Sequence, residues 1–276
     1  MGLGHIVAAA GLLLLAGCSG AQLASRPGAY DVSHQQVVTS SIDVRATYVR
    51  PVQQRHPGYL VVFTTGDDGW SGTSAAVFRH LADEGYLLAG FSAPELLEPI
   101  IRSGERIPTA QAAKELESLY AQAKSHLGVP DSTPIVIVGF SRGASVVAFT
   151  AVHPLLQGSI SGAVAIALTR EADYLHVPEH EHGPAIQVDT ERRLQLYPAL
   201  KLLGGTRLAV IQSTHDSYVP AAESRKLLGP DTATLRLYEI EASDHGFTDA
   251  QEKLLLDLDD ALQWVEATDV VTGAKG

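Results

Sequence analysis

Ser141 lies between two glycines in Gly139-Phe140-Ser141-Arg142-Gly143, and an aspartate and a histidine that could activate it follow later, Asp216 and His245. A serine hydroxyl is a poor nucleophile unless a base removes its proton. A histidine held in one tautomer by a carboxylate does this near neutral pH. The three residue types therefore point to nucleophilic attack by Ser141, with His245 as general base and then acid. Asp216 is the carboxylate that orients the imidazole.

The surrounding sequence must position these side chains. Residues 134–138 are Pro-Ile-Val-Ile-Val, a continuously apolar run that predicts a strand covered on both faces. Residues 144–152 read as a helix. Gly139 and Gly143 allow a strand to turn sharply into a helix, which leaves the Ser141 hydroxyl exposed at the tip. The amide of Arg142 then lies at the helix N-terminus, where an oxyanion would form. Outside that context, the same five residues would be a glycine-bounded turn with a solvated serine. Asp216 comes just past a predicted strand over 208–212, and His245 just past another over 234–240. Asp244 is a rival acid, but as the sequence neighbour of His245 it would normally point elsewhere. His215 reads as a loop residue.

A second oxyanion donor is expected in the loop after the first central strand, Thr64-Thr65-Gly66-Asp67-Asp68-Gly69-Trp70. Gly66 allows the tight turn there, and the Asp67 amide is the candidate donor. Trp70 is the candidate for a substrate-pocket wall; the alternative is a core aromatic. No metal or other cofactor is expected. The acidic pair in that loop has no further carboxylates clustered around it. The histidines between 176 and 182 lack a spacing with a third fixed zinc ligand, so that run reads as a polar loop.

Strands are expected over 42–48, 59–63, 86–91, 134–138, 160–168, 208–212 and 234–240. Strict alternation over 42–48 predicts a half-exposed antiparallel strand. Helices are expected over 74–84, from a Thr109 cap to Gly128, over 144–152, over 221–228, and after a Thr248/Gln251 capping box near the C-terminus. Residues 92–107 read as irregular. Residues 169–205 have no clean period and read as a cap or insertion. The alternation predicts an α/β fold: a mostly parallel central sheet with helices on both faces and the strand C-terminal ends along one edge.

The chain has 276 residues, a net charge of −11 and 45% hydrophobic residues. The acidity argues against nucleic acid as a partner, because phosphates would be repelled. Cys18 is the single cysteine, so no intramolecular disulfide exists. Residues 6–15 are apolar and run into Leu15-Ala16-Gly17-Cys18, which reads as a secretory signal peptide. Those four residues resemble the lipobox of bacterial lipoproteins. The resemblance implies removal of residues 1–17, lipid attachment at Cys18, and a place in the cell envelope facing the periplasm. The n-region departs from the usual pattern in lacking Lys and Arg. Ser19 resembles the outer-membrane sorting pattern of Gram-negative lipoproteins. Residues 18–33 read as a flexible tether, and 34–276 as the catalytic domain.

Ser141, Asp216 and His245, in that order and setting, resemble the α/β-hydrolase superfamily from about residue 42 onward. Within it, Phe63-Thr64-Thr65-Gly66-Asp67-Asp68-Gly69-Trp70 and Gly139-Phe140-Ser141-Arg142-Gly143-Ala144 resemble the signatures of the VirJ/AcvB-type virulence-protein family. That resemblance implies an envelope hydrolase of aminoacylated phosphatidylglycerol, a cationic lipid ester. Asp68 stands where that family has glycine. Arg142 and Ser145 depart from its usual aromatic and aspartate. Its cysteines near the acid are missing. Two other readings stay open: a small-molecule carboxylesterase like the dienelactone hydrolases, and an idle scaffold that binds an envelope partner.

Overall fold

The computed structural model describes residues 23–267. Eight strands form its central sheet: β1 (Tyr30–Val38), β2 (Asp43–Pro51), β3 (Leu60–Thr64), β4 (Leu87–Phe91), β5 (Ile135–Phe140), β6 (Ile160–Ile166), β7 (Arg207–Ser213) and β8 (Leu235–Ile240). Their order across the sheet is β1-β2-β4-β3-β5-β6-β7-β8. β1 pairs antiparallel with β2, and β2 antiparallel with β4. The pairings from β4 through β8 are parallel. Those parallel strands therefore all end on one edge.

Six helices of eight residues or more flank the sheet among the described residues: α1 (Gly72–Asp83), α2 (Ala93–Ser103), α3 (Thr109–Leu127), α4 (Arg142–Val152), α5 (Ala221–Leu228) and α6 (Gln251–Glu266). Side chains alternate across a strand, so neighbouring residues of β3 and β5 feed two separate cores. Val61, Phe63, Val136 and Val138 pack with Val77, Phe78 and Leu81 of α1 and with Leu254, Leu258 and Leu262 of α6. Leu60, Val62, Ile135 and Ile137 pack with Leu96 of α2, Leu116 and Leu119 of α3, and Val147 of α4. A continuously apolar strand is what burial on both faces requires.

Four local expectations are corrected by the structure. Residues 92–107 are mostly helix α2, not irregular. Pro94 in its first turn and Pro99 inside it obscure the helical signal, while Leu96 and Leu97 supply the buried face. Thr109 does not cap α3. Pro108 is the N-cap, and the Thr109 hydroxyl donates to Glu181 Oε2 at 2.7 Å. The Thr248/Gln251 capping box is not formed. Ala250 is the N-cap, and the Thr248 amide donates to Asp244 Oδ1 at 3.0 Å. The proposed tether runs too far: residues 30–33 already belong to β1, because Tyr30 and Val37 are buried and the edge of β2 needs a partner. The expected signal peptide and Cys18 lie outside the described residues. No helix among the described residues is long and apolar enough to cross a membrane.

The segment 169–205 is packed onto the domain rather than looped away from it. Glu171–Ala172 pairs with Leu194–Gln195, and Leu175–His176 adds to Ile107–Pro108. Leu175, Val177, Leu194, Leu196 and Tyr197 are buried in the core on the α3–α4 side. This anchoring leaves Arg170, Glu171, Asp173 and Arg193 over the sheet edge where the parallel strands end.

Candidate active site

At the end of β5, Ser141 adopts φ 53° and ψ −114°. A non-glycine residue held there costs on the order of 1–3 kcal/mol. Its neighbours make the turn possible by lacking side chains. A Cβ on Gly139 would lie 2.3 Å from the Gly143 carbonyl oxygen. One on Gly143 would lie 2.1 Å from the carbonyl oxygen of Thr64. The Ser141 amide donates to the Ile166 carbonyl of β6 at 2.8 Å, which pins the turn to the sheet. The turn points the hydroxyl at His245, with Ser141 Oγ and His245 Nε2 2.8 Å apart.

His245 Nδ1 lies 2.7 Å from Asp216 Oδ2. A carboxylate accepts from Nδ1–H, which leaves Nε2 as the acceptor for the serine proton. Asp216 is 2% exposed and fully hydrogen-bonded. Its Oδ1 accepts from the amides of Tyr218 at 2.7 Å and Val219 at 3.1 Å. Gln212, buried in β7, donates from Nε2 to Asp216 Oδ2 at 2.9 Å and to the Val219 carbonyl at 2.6 Å. Gln212 Oε1 in turn accepts from the Leu168 amide at 3.0 Å. These donors hold the carboxylate in one orientation.

The three residues chosen from sequence are therefore brought together in one hydrogen-bonded chain. Asp244 has a different task. Bonds from the Thr248 hydroxyl and amide hold its carboxyl below the usual range, and it shapes the turn that presents His245. His215 Nδ1 faces the Ala242 carbonyl at 3.0 Å, away from the triad.

Two backbone segments flank Ser141, the start of α4 and the loop after β3. Arg142 is the first residue of α4, so its amide has no acceptor within the helix. The loop after β3 passes directly over the turn: a Cβ on Gly66 would sit 3.3 Å from Ser141 Cβ. In that loop the Thr65 amide is committed to the Phe91 carbonyl and the Gly66 amide to Ser74 Oγ. Among the described residues, the Asp67 amide has no protein acceptor. Arg142 and Asp67, the two residues expected as donors, thus each have a backbone amide without a protein acceptor among the described residues.

Ser141 opens into a cavity of about 230 Å³ lined by Asp67, Arg142, Ser145, Thr169, Arg170, Glu171, Asp173, Arg193 and Tyr218. The Arg142 guanidinium bonds Asp67 Oδ1 through Nε and Asp173 Oδ1 through Nη1. Burial alone would lower its pKa, but the hydrogen bond to Asp67 and the charge of Asp173 carry it above its ordinary value. Tyr218 stands at the rim, edge-on to the His245 ring with centroids 4.8 Å apart.

Trp70 is not a pocket wall. It is 8% exposed and packs against Phe78 and Phe63, with centroids 4.9 and 6.3 Å away. Gly90 makes room for it: a Cβ there would lie 2.5 Å from the indole. Gln212, Asp173, Arg193 and Tyr218 were not singled out from sequence. Gln212 had a signal, as the one amide in the apolar run Leu208-Ala209-Val210-Ile211-Gln212 just before Asp216. The others come from segments without a period.

No protein-family model matches the chain, and no curated protein matches it by sequence. Solved structures do match. One, from Klebsiella pneumoniae subsp. pneumoniae and ascribed to a dienelactone hydrolase, superposes with a TM-score of 0.60 at 19% identity. The match covers 87% of this chain and 100% of that one. The esterase Pf2001 from Pyrococcus furiosus gives 0.57 at 14% identity, over 85% of this chain and 90% of its own. Est1E from Butyrivibrio proteoclasticus gives 0.54 at 14% identity, over 85% and 99%. The chain has the α/β-hydrolase fold. In that fold the turn after β5, the loop after β7 and the loop after β8 meet at one sheet edge. Here those are the segments that carry Ser141, Asp216 and His245.

Proposed function

We propose that the chain is a serine esterase. The reading rests on one observation: the unbroken relay from Ser141 Oγ through the His245 ring to a buried Asp216, at 2.8 and 2.7 Å. Ser141 Oγ attacks the ester carbonyl while His245 Nε2 takes its proton. The carbonyl oxygen becomes an oxyanion that accepts from the amides of Arg142 and Asp67. The C–O bond then breaks, His245 returns its proton to the departing alcohol, and an acyl-serine remains. Water repeats the sequence with His245 as base and releases the carboxylic acid.

Within that reading, the substrate is an ester with a small, cationic acyl group, such as an aminoacyl ester of a lipid alcohol. Two features support this. The cavity is smaller than the roughly 300–1,000 Å³ of drug-sized sites and has many charged walls, so it suits a short polar acyl group rather than a fatty chain. The lining guanidiniums are also taken up: three carboxylates, Asp67, Glu171 and Asp173, stand against Arg142, Arg170 and Arg193, and each arginine is already paired with at least one carboxylate, which leaves none of them free for an anionic acyl group. Arg142 faces both Asp67 and Asp173, while Arg193 faces Glu171, Asp189 and Glu191. Arg170 pairs with Glu223. The test is a matched series of nitrophenyl esters with cationic, neutral and anionic acyl groups, alongside vesicles containing lysyl-phosphatidylglycerol. The cationic esters are expected to give kcat/KM about tenfold or more above the anionic ones at low salt, with the gap narrowing at high salt. A preference for anionic or uncharged small esters would favour the dienelactone-hydrolase-like reading. That reading is motivated by the neighbour matched over its whole length.

The same proposal places the enzyme on a membrane through lipidated Cys18, facing the periplasm. The Leu15-Ala16-Gly17-Cys18 sequence supports this. Multiple acyl chains give lasting anchorage where one does not. Cys18→Ala is expected to move the protein from the membrane fraction to the soluble fraction; unchanged fractionation would contradict the anchor.

A further inference from the structure

The two residues whose amides flank the oxyanion position are also joined through their side chains. Arg142 Nε bonds Asp67, and Arg142 Nη1 bonds Asp173. Resting on the serine-esterase reading, we propose that Arg142 is a positioning residue: its guanidinium fixes the Asp67 amide relative to its own and ties both to the 169–205 insertion.

The geometry favours this role over a substrate contact. A guanidinium presents its donors in a rigid plane, so two acceptors on different edges are held at a set separation and angle. Here one edge takes the loop after β3, and another takes the insertion. Both edges are thus occupied by protein carboxylates, which leaves little of Arg142 to bind an anionic group on a substrate. The Arg142 side chain is 25% exposed, while Asp67 and Asp173 are 59% and 47% exposed. The link is therefore sheltered on the arginine side and open on the carboxylate side.

Dependence runs toward the arginine. Thr65 and Gly66 are anchored by the Phe91 carbonyl and Ser74. The Asp67 carboxylate has no other hydrogen bond among the described residues, and neither does that of Asp173. Arg142 itself is fixed from beneath, because its carbonyl accepts from Ser145 Oγ at 2.6 Å within the first turn of α4. The elbow is the rigid partner, and it holds the loop. An oxyanion donor that is misaimed still lets substrate bind but stabilises the transition state less.

The test compares Arg142→Met, Arg142→Lys, Asp67→Asn and Asp173→Asn with the parent enzyme on one activated ester. Arg142→Met and Asp67→Asn are expected to lower kcat about 10- to 100-fold with KM within about threefold, since only transition-state contacts weaken. Arg142→Lys should not rescue, because one ammonium cannot span both carboxylates in a fixed plane. The Arg142→Met/Asp67→Asn double variant should be no slower than the worse single variant, as for two halves of one contact. Asp173→Asn should have a smaller effect of the same kind. A wild-type kcat in Arg142→Met and Asp67→Asn, a loss confined to KM, or multiplying losses in the double variant would overturn the proposal. Hydrogen exchange gives a readout that needs no turnover. Amides of residues 66–69 should exchange faster in Asp67→Asn and Arg142→Met, and unchanged exchange would overturn the link. If the parent enzyme hydrolyses no ester, the esterase reading fails, and the exchange result still decides the link.

Discussion

Ser141→Ala is expected to lower kcat for ester hydrolysis by about a million-fold while leaving the fold intact. The two halves of that expectation have different origins. The catalytic loss is nearly complete because the acyl-serine can no longer form, and water must attack directly with help from the oxyanion amides alone. The fold survives because the substitution removes the hydroxyl and its hydrogen bond to His245, while the Ser141 amide still donates to the Ile166 carbonyl. Alanine carries the same Cβ as serine at φ 53°, so no new strain is added. Steady-state kinetics with thermal unfolding would check both halves. A folded variant that retained more than about one thousandth of the parental kcat would place the chemistry elsewhere.

Asp216→Asn is expected to cost about 10⁴-fold in kcat, less than the loss of Ser141. The side chain keeps its shape, so the amides of Tyr218 and Val219 can still be accepted by its remaining oxygen. Its nitrogen would then face both His245 Nδ1 and the Gln212 amide group. Two donors would meet at Gln212. At His245, an Asn N–H favours the tautomer with the proton on Nε2, where it cannot accept from Ser141. Imidazolium formation in the transition state also loses its counter-charge. KM should change little, because Asp216 is buried behind His245 and does not line the cavity. A near-parental kcat in this variant would remove Asp216 from the relay.

Much of this site was legible in the sequence because backbone chemistry forces particular residue types there. Only glycine fits at 139 and 143, where a Cβ would collide with backbone oxygen. The strand before Ser141 must be apolar throughout, since both its faces are covered. Asp216 and His245 each follow a strand by a few residues, which in a parallel sheet sends both to the same edge. The cavity walls were less legible. Arg170, Asp173 and Arg193 sit on short irregular pieces held by buried Leu175, Val177 and Leu194, and such pieces carry no period of their own. Trp70 illustrates an ambiguity of side-chain direction. One loop supplies both a backbone amide to the site and an aromatic to the core, and sequence spacing does not say which way a loop side chain turns. Helix α2 was hidden by its two prolines, although a proline in the first turn is compatible with a helix.

The most direct measurement is covalent labelling of the purified protein by a fluorophosphonate, with the modified residue located by mass spectrometry of its peptides. The phosphorus is attacked by an activated serine, fluoride leaves, and a stable adduct remains on Oγ. The expected result is one adduct per chain, on the peptide that contains Ser141, and no adduct in Ser141→Ala. A folded protein that stays unlabelled, or that is labelled at another residue, would contradict the assignment of Ser141 as an activated nucleophile.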